Sequence, residues 1–476
     1  MKFSLISAGP NDGIDVREGR KSIAAFPPLS LAYLAAVLEE DGVEVSILDQ
    51  PALGLSNEEA ARWVEKENPD VVGFSTLASS GRTAAEISRK IKERNPDIIT
   101  VFGNHHATFN AERILRKYPA VDIVVRGEGE KTITELAHCL KNRENLKNVK
   151  GITFKNRGEI AATPNQPLIK DLDALPFPDR NLINAEYHCL MAGANVAPKK
   201  FTSIVTSRGC AYACRFCSCT EFAQRRWRAR SPENTLEELC LLASEGYKQL
   251  IFVDDNFTLN PKRAIAICRG MQKEKLDMDW IAEGRVDNFS YELAREMVKA
   301  GLRILYLGIE SANQRILDYY KKTITPAQAA TAIRTAKKAG VDVVVGSFIV
   351  GAPDETRQEI QNTINFAMRN RIDIPQFNIL GAHPGNDIWN EFEANGLLKA
   401  EEHWEGGIAV SEICPTAVPL EEVKKMIHNA FRRHISRPTF IIEQVAKTLR
   451  SGYLKNVMLS NITRLTEIRE GANSVT

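Results

Sequence analysis

Within the run Ser-Arg-Gly-Cys-Ala-Tyr-Ala-Cys-Arg-Phe-Cys-Ser-Cys, the cysteines Cys210, Cys214 and Cys217 are separated by gaps of three and two residues. In a reducing compartment such a cluster is more often metal-binding than disulfide-bonded. Three thiolates cannot complete a four-iron cluster. The fourth iron is left open to an exogenous ligand, and a chelating amino acid there would be placed for inner-sphere electron transfer. A structural zinc site would want a fourth protein ligand, and Cys219 is the near candidate. The other five cysteines, Cys139, Cys189, Cys240, Cys268 and Cys414, stand alone in helical or linker sequence and read as small core residues.

The cysteine run needs a loop at a strand end to work from, and the flanking sequence provides one. A βα series starts at Ser203 and continues through Gln249–Asp254, Trp280–Glu283, Ile304–Glu310, Val343–Val350 and Gln376–Leu380, with helical patterns between. Six strand candidates, each followed by a helix, predict a partial (β/α)6 barrel whose chemistry lies at the carboxyl ends of its strands. Before it, from Met1 to about Lys141, β-rich runs at 2–8, 44–49, 70–76, 98–103 and 122–125 alternate with helical stretches. That alternation predicts an α/β, Rossmann-like, doubly wound parallel sheet, with ligands in the loops 75–81, 103–109 and 126–130. The expected organisation is therefore a sheet domain over 1–141, a linker with a hairpin over 142–199, the barrel over 200–400 and a small helical C-terminal domain over 401–476. Lys424, Lys425, Arg432, Arg433 and His434 in that last segment read as a solvated helix face.

With 476 residues and 43% hydrophobic content, the chain has material for two or three cores. Its 62 basic and 60 acidic residues nearly cancel, so the electrostatic footprint of a nucleic-acid binder is lacking. No stretch has the length of a membrane span, and the start reads as a strand and loop rather than a signal peptide. A cytoplasmic protein is expected.

The cysteine loop resembles the signature of the radical S-adenosylmethionine (SAM) superfamily, CxxxCxxC with an aromatic residue before the last cysteine, here Cys210, Cys214, Phe216 and Cys217. The resemblance implies a 4Fe-4S cluster on those three cysteines whose open iron binds the methionine amine and carboxylate of SAM. One electron then cleaves the sulfonium to a 5′-deoxyadenosyl radical, which abstracts hydrogen from an unactivated carbon. Further strand ends are similar to the family's SAM contacts: Asp254, Asp255 and Asn256 for the methionine amine, and Glu283, Arg285, Glu310 and Ser311 for the sulfonium, carboxylate and ribose. The runs SFIVGAPDET and AHPGN, with Ser347, Gly351, Pro353 and Gly385, are similar to the backbone that cradles the adenine.

The first domain, through PPLSLAYLAAVLEEDG, GNHHATF and VVRGEGE, resembles the cobalamin-binding domain of the B12-dependent radical enzymes. That resemblance implies cofactor contacts from Ser75, Thr76 and Leu77, from Gly103, His105, His106 and Ala107, and from Glu128, Gly129 and Glu130. GxGxxG is absent, which disfavours a dinucleotide, and so is the DxHxxG motif that supplies a lower histidine ligand to cobalt. His105 and His106 are read either as cobalt ligands or as hydrogen-bonding residues. Glu128–Glu130 serves either corrin and tail amides or a helix N-terminus.

Cobalamin beside a radical generator implies a C-methyltransferase, in which a second SAM remethylates the cobalt. The alternatives are an oxidative cyclase or a lipid-modifying enzyme with the same cofactors and, from another class, a non-catalytic cobalamin or iron-sulfur sensor. The expected partners are SAM, a peptide, protein or small-molecule substrate, and a flavodoxin- or ferredoxin-like electron donor. A protein carbon is the preferred target, the active-site glutamine of methyl-coenzyme M reductase being one candidate that the resemblance offers.

Overall fold

In a computed structural model of the chain, residues 1–11, 26–156, 158–191 and 194–473 are described, with side chains to residue 462. The loop expected after Asn11 and the last three residues of the C-terminal segment lie outside the described residues. Two compact units are present, and neither is one continuous stretch of sequence.

The first unit comprises Met1–Tyr187 with Glu221–Gln224 and His383–Gly407. Its sheet contains β1 (Lys2–Ser7), β2 (Glu44–Asp49), β3 (Val71–Ser75), β4 (Ile99–Gly103) and β5 (Ile123–Val125), all parallel, in the order β2-β1-β3-β4-β5. Phe3, Leu5, Val71, Val101 and Ile123 pack against Leu31, Leu38 and Leu136 of the crossover helices. Burial on both faces is why these strands are near-continuous apolar runs. The predicted linker is corrected in part: β6 (Ile152–Asn156) pairs antiparallel with β5, and β7 (Glu159–Ala162) with β6, so the hairpin extends this sheet. Pairing satisfies the backbone groups that the edge of β5 would otherwise leave open.

The second unit comprises His188–Thr220, Arg225–Ala382 and Ile408–Thr476. Six parallel strands, β8 (Phe201–Ile204), β9 (Gln249–Phe252), β10 (Asp279–Arg285), β11 (Leu302–Glu310), β12 (Val343–Val350) and β13 (Ile374–Ile379), pair in sequence order without closing, as the βα pattern predicts. Leu305, Leu307 and Ile309 join the core under the helices, so the alternate residues Tyr306 and Gly308 face the lumen. Phe252, Phe257 and Trp280 form an aromatic knot in that core, with centroids 4.8–5.6 Å apart.

The segment after residue 401 is not a separate domain. The helix Leu420–Ile435 covers β13, sharing a core of Val350, Ile360, Ile364 and Val423 with the barrel. The helix beginning at Gly452 docks through Tyr453, whose hydroxyl donates to Val196 O (2.8 Å), and through Asn461, whose Oδ1 accepts from Asn195 N (2.8 Å). An open sheet leaves the outer face of its last strand uncovered, and the first of these helices covers it. His434 also departs from the expected solvated face: it is 1% exposed, with Nε2 3.3 Å from Asp373 O. Burial, followed by Arg437, lowers it to about 4.

Candidate active site

A buried polar clamp sets the strand end from which the cysteine loop departs. Asp254, 1% exposed, accepts from Thr206 N and Oγ1 (2.6 Å each) and from Ser207 Oγ (2.7 Å). Arg263 Nη2 donates to Thr206 O (2.8 Å) and its Nε to Arg230 O (2.7 Å). Arg230 in turn donates to Val205 O (3.1 Å) and pairs with Glu238, both side chains being buried. Asp254 is thus a positioning residue rather than a ligand contact, which corrects the expectation for it. Asn256 turns inward too, accepting from Thr258 Oγ1 at 3.1 Å. Ser311, fully buried, shares a hydroxyl contact with Thr363 (3.2 Å). Arg230, Glu238 and Arg263 carried no motif that sequence reasoning could single out.

The residues that do face the mouth are Asp255, Glu283, Arg285 and Glu310. Asp255 is exposed and accepts from Gly209 N (2.8 Å), holding the turn at Gly209, whose φ of +80° suits glycine. Arg285 lies with its guanidinium carbon 3.5 Å from the Tyr212 ring centroid and donates to both Asp287 carboxylate oxygens (3.0 Å each). Its Nη1 approaches Cys214 Sγ at 3.8 Å. Glu310 sits at a register shift between β11 and β12 with φ +63°, a conformation costly for a non-glycine residue and held here by a 2.7 Å ion pair with Lys322. A Cβ at Gly308 would come within 2.8 Å of both partners, so only glycine leaves room for this pair. Lys322 is a further residue that carries no sequence motif. Glu283 is water-accessible yet enclosed by protein on most sides. Dehydration, then Asp255 and Glu310, raises its carboxyl above the usual range.

Cys210, Cys214 and Cys217 are all half-buried on this loop. Among the described residues no three His, Cys, Asp or Glu side chains close on a single ion. A four-iron cluster asks for something different, since each thiolate takes its own iron. The donor set fits that group. The Cys219 thiol donates to the Cys217 sulfur and, against burial and with the backbone N–H groups of Thr220 and Cys219, brings Cys217 down to about 6. Burial raises Cys214, opposed by Lys322 and Arg285. Phe216 meets Tyr320 edge-on at 5.4 Å, which anchors the loop beside its last cysteine.

Beyond β12, Gly351 (φ +90°) begins a turn whose N–H groups at Gly351 and Ala352 donate to Glu355 Oε2 (2.7 and 3.1 Å). Ser347 accepts from Asn378 Nδ2 (3.3 Å) across β12 and β13. Gly385 packs in the first unit, where a Cβ would lie 2.5 Å from the Phe109 ring. Glu355, within the SFIVGAPDET run, is 1% exposed with Oε1 unpartnered. Burial pushes it up to about 7 from an ordinary value of 4.5. The folded state therefore keeps a proton that the unfolded chain releases, so its stabilising effect is present below pH 4.5 and is lost as the pH rises to about 7. Glu355→Gln is expected to flatten this loss: melting temperatures at pH 5 and pH 8 should differ less for the variant than for the wild type.

In the first unit, the order β2-β1-β3-β4-β5 puts a switch point between β1 and β3, where ligands of such sheets bind. The loop after β3 is gripped by Asn11, which donates to Ala78 O (2.7 Å), and it leaves Leu77 49% exposed. Thr76 Oγ1 donates to Gly103 O (2.8 Å), and Asn104 Nδ2 donates to Ser75 Oγ (2.9 Å), tying the loops after β3 and β4 together. His105 is stacked on Phe222 (4.0 Å), with Nδ1 2.7 Å from Asn104 Oδ1. His106 and Ala107 are buried, contrary to the expectation that they face a ligand. His106 lies under Trp404 (5.5 Å) and so close to Gly81 that a Cβ there would be 2.7 Å from its Nε2. Burial lowers it to about 4. Glu128 Oε2 accepts from Ile169 N (2.8 Å), Glu130 is buried, and Gly129 packs on Leu34.

Residues 204–367 match the family model of the radical SAM superfamily, and residues 21–137 that of the B12 binding domain. An uncharacterized methyltransferase of Pyrococcus horikoshii is 38% identical, over 88% of this chain and 90% of that protein. The chain belongs to the cobalamin-dependent radical SAM family. Its cofactors are those of the family, a 4Fe-4S cluster, SAM and cobalamin. Another relative of this radical SAM enzyme, the anaerobic magnesium-protoporphyrin IX monomethyl ester cyclase of Rubrivivax gelatinosus, is 30% identical over 78% of this chain and 67% of its own. The fold is shared with the radical SAM methyltransferase TsrM of Kitasatospora setae, solved with cobalamin and a 4Fe-4S cluster. The two chains are 18% identical at a TM-score of 0.67, covering 83% of this chain and 78% of that one.

Proposed function

We propose that this enzyme transfers a methyl group to an unactivated carbon of a polar, peptide-like substrate. The observation that carries the reading is the barrel mouth itself, where the cysteine loop, Arg285 and the carboxylates of Asp255, Glu283 and Glu310 meet. Bound there, the cluster and SAM supply hydrogen abstraction, and cobalamin supplies a methyl carrier. Cys210, Cys214 and Cys217 hold the cluster, and Phe216 anchors their loop. Asp255, Glu283 and the Glu310–Lys322 pair orient the charged and ribose groups of SAM, while Gly351, presented by Glu355, offers backbone to its adenine. In the first unit, exposed Leu77 and its small neighbours in the Thr76–Ala78 loop, Gly103 at the β4 end and Glu128–Glu130 would hold the cobalamin. His106, being buried, would offer cobalt no ligand.

A polar substrate is favoured by the lumen side of β12 and β13, where Ser347, Asn378 and Gln376 form a hydrogen-bonding row. A peptide carbon suits that row, the glutamine of methyl-coenzyme M reductase being one case. The physiological reductant is assigned to the flavodoxin or ferredoxin class. The test is anaerobic turnover of reconstituted enzyme. One 5′-deoxyadenosine, one S-adenosylhomocysteine and a product heavier by one methyl unit are expected per cycle. Oxidative ring closure is the second reading, favoured by the cyclase relative. A product lighter by two hydrogens would establish it, and absence of 5′-deoxyadenosine would remove both readings.

A further inference from the structure

Nine of the seventeen large apolar side chains exposed among the described residues lie after residue 430. In the helix Pro438–Arg450 no residue is buried, and Ile441, Ile442, Val445 and Leu449 fall on one arc at helical spacing. Ile442 is 67% and Leu449 68% exposed. This helix packs beside the one beginning at Gly452, where Met458 and Ile462 are also exposed. Core formation therefore does not account for so much apolar surface in one place on the molecule; a patch of this kind marks an interaction site.

Charge says what covers it. Residues 420–462 carry eight Lys and Arg against three Glu, in a chain whose net charge is only +2. Lys425, Arg432, Arg433, Arg450 and Lys455 are all exposed on this helix and the two that flank it in the chain. A second copy of the chain would bring the same positive field against itself. An anionic surface would be attracted, and an apolar arc fringed by cations is the pattern of helices that lie in a bilayer interface. Orientation is compatible with activity. Gln444 donates to Asp373 (3.0 Å) and Lys447 to Asp342 O (3.2 Å), residues that precede β13 and β12. The helix thus sits at the amino ends of the strands, away from the barrel mouth.

We infer that the apolar arc of Pro438–Arg450, with its basic fringe, docks this enzyme on an anionic lipid surface without crossing it. No described helix is long and apolar enough to cross a membrane. The test is flotation of the full-length protein with vesicles. Wild type is expected to float with vesicles of equal parts phosphatidylcholine and phosphatidylglycerol and to stay behind with phosphatidylcholine alone. Binding should fall as salt rises, because screening shortens the reach of the basic fringe. Ile442→Asp and Leu449→Asp should each weaken binding about tenfold, the loss of one buried aliphatic side chain, with unchanged melting temperatures since both positions are exposed. Failure of the wild type to float on anionic vesicles, or retention of binding by both variants, overturns the inference. So does a wild-type dimer that the same substitutions dissociate in the absence of lipid.

Discussion

Single replacement of Cys210, Cys214 or Cys217 by alanine is expected to abolish both the iron-sulfur absorption of the reconstituted protein and its formation of 5′-deoxyadenosine. Three thiolates ligate every iron of the cluster but the one left free for SAM, so no member is redundant. Cys219→Ala is the informative control. Cys219 donates to the Cys217 sulfur, and its replacement should leave the cluster in place. Anaerobic absorption spectra and product analysis by mass spectrometry on the four variants decide the matter. Cluster and radical formation surviving in any one of the first three would overturn the assignment, and loss of the cluster in Cys219→Ala would make that residue a ligand.

Glu238→Gln is expected to destabilise the barrel by about 3–5 kcal/mol, the cost of leaving one buried charge without its partner. Arg230 and Glu238 are 4% and 0% exposed, so solvent cannot screen the orphaned guanidinium. The effect should reach the cluster. Arg230 and Arg263 hold the carbonyls of Val205 and Thr206, the last backbone groups before the cysteine loop. Urea unfolding should show a lower midpoint for Glu238→Gln, and cluster reconstitution should be less complete. Replacing both partners with apolar residues of similar volume should recover much of the stability. A midpoint equal to that of wild type would show that the pair does not carry the strand end.

Much of this protein is determined by its sequence alone. The spacing of Cys210, Cys214 and Cys217 specifies the chemistry because the ligands are close in the chain and need only one loop. The two βα series were legible because helical and strand periodicities are local. Boundaries followed less well: residues 383–407 join the first unit and the helix Leu420–Ile435 completes the barrel wall, since burial is settled by which faces lack cover. Within FVDDNF, one residue decides what the motif does. Asp254 turns in to clamp Thr206 while Asp255 turns out to the mouth, because successive positions at a strand end point to opposite sides. His106, adjacent to His105, is likewise lost to the core beneath Trp404. The partners of Arg230 and Lys322 are set by elements brought together only in three dimensions. Residue type and spacing name a possible chemistry, but side-chain direction and burial are properties of packing, and only the tertiary structure separates the carboxylate that can meet a cofactor from the one that holds the loop.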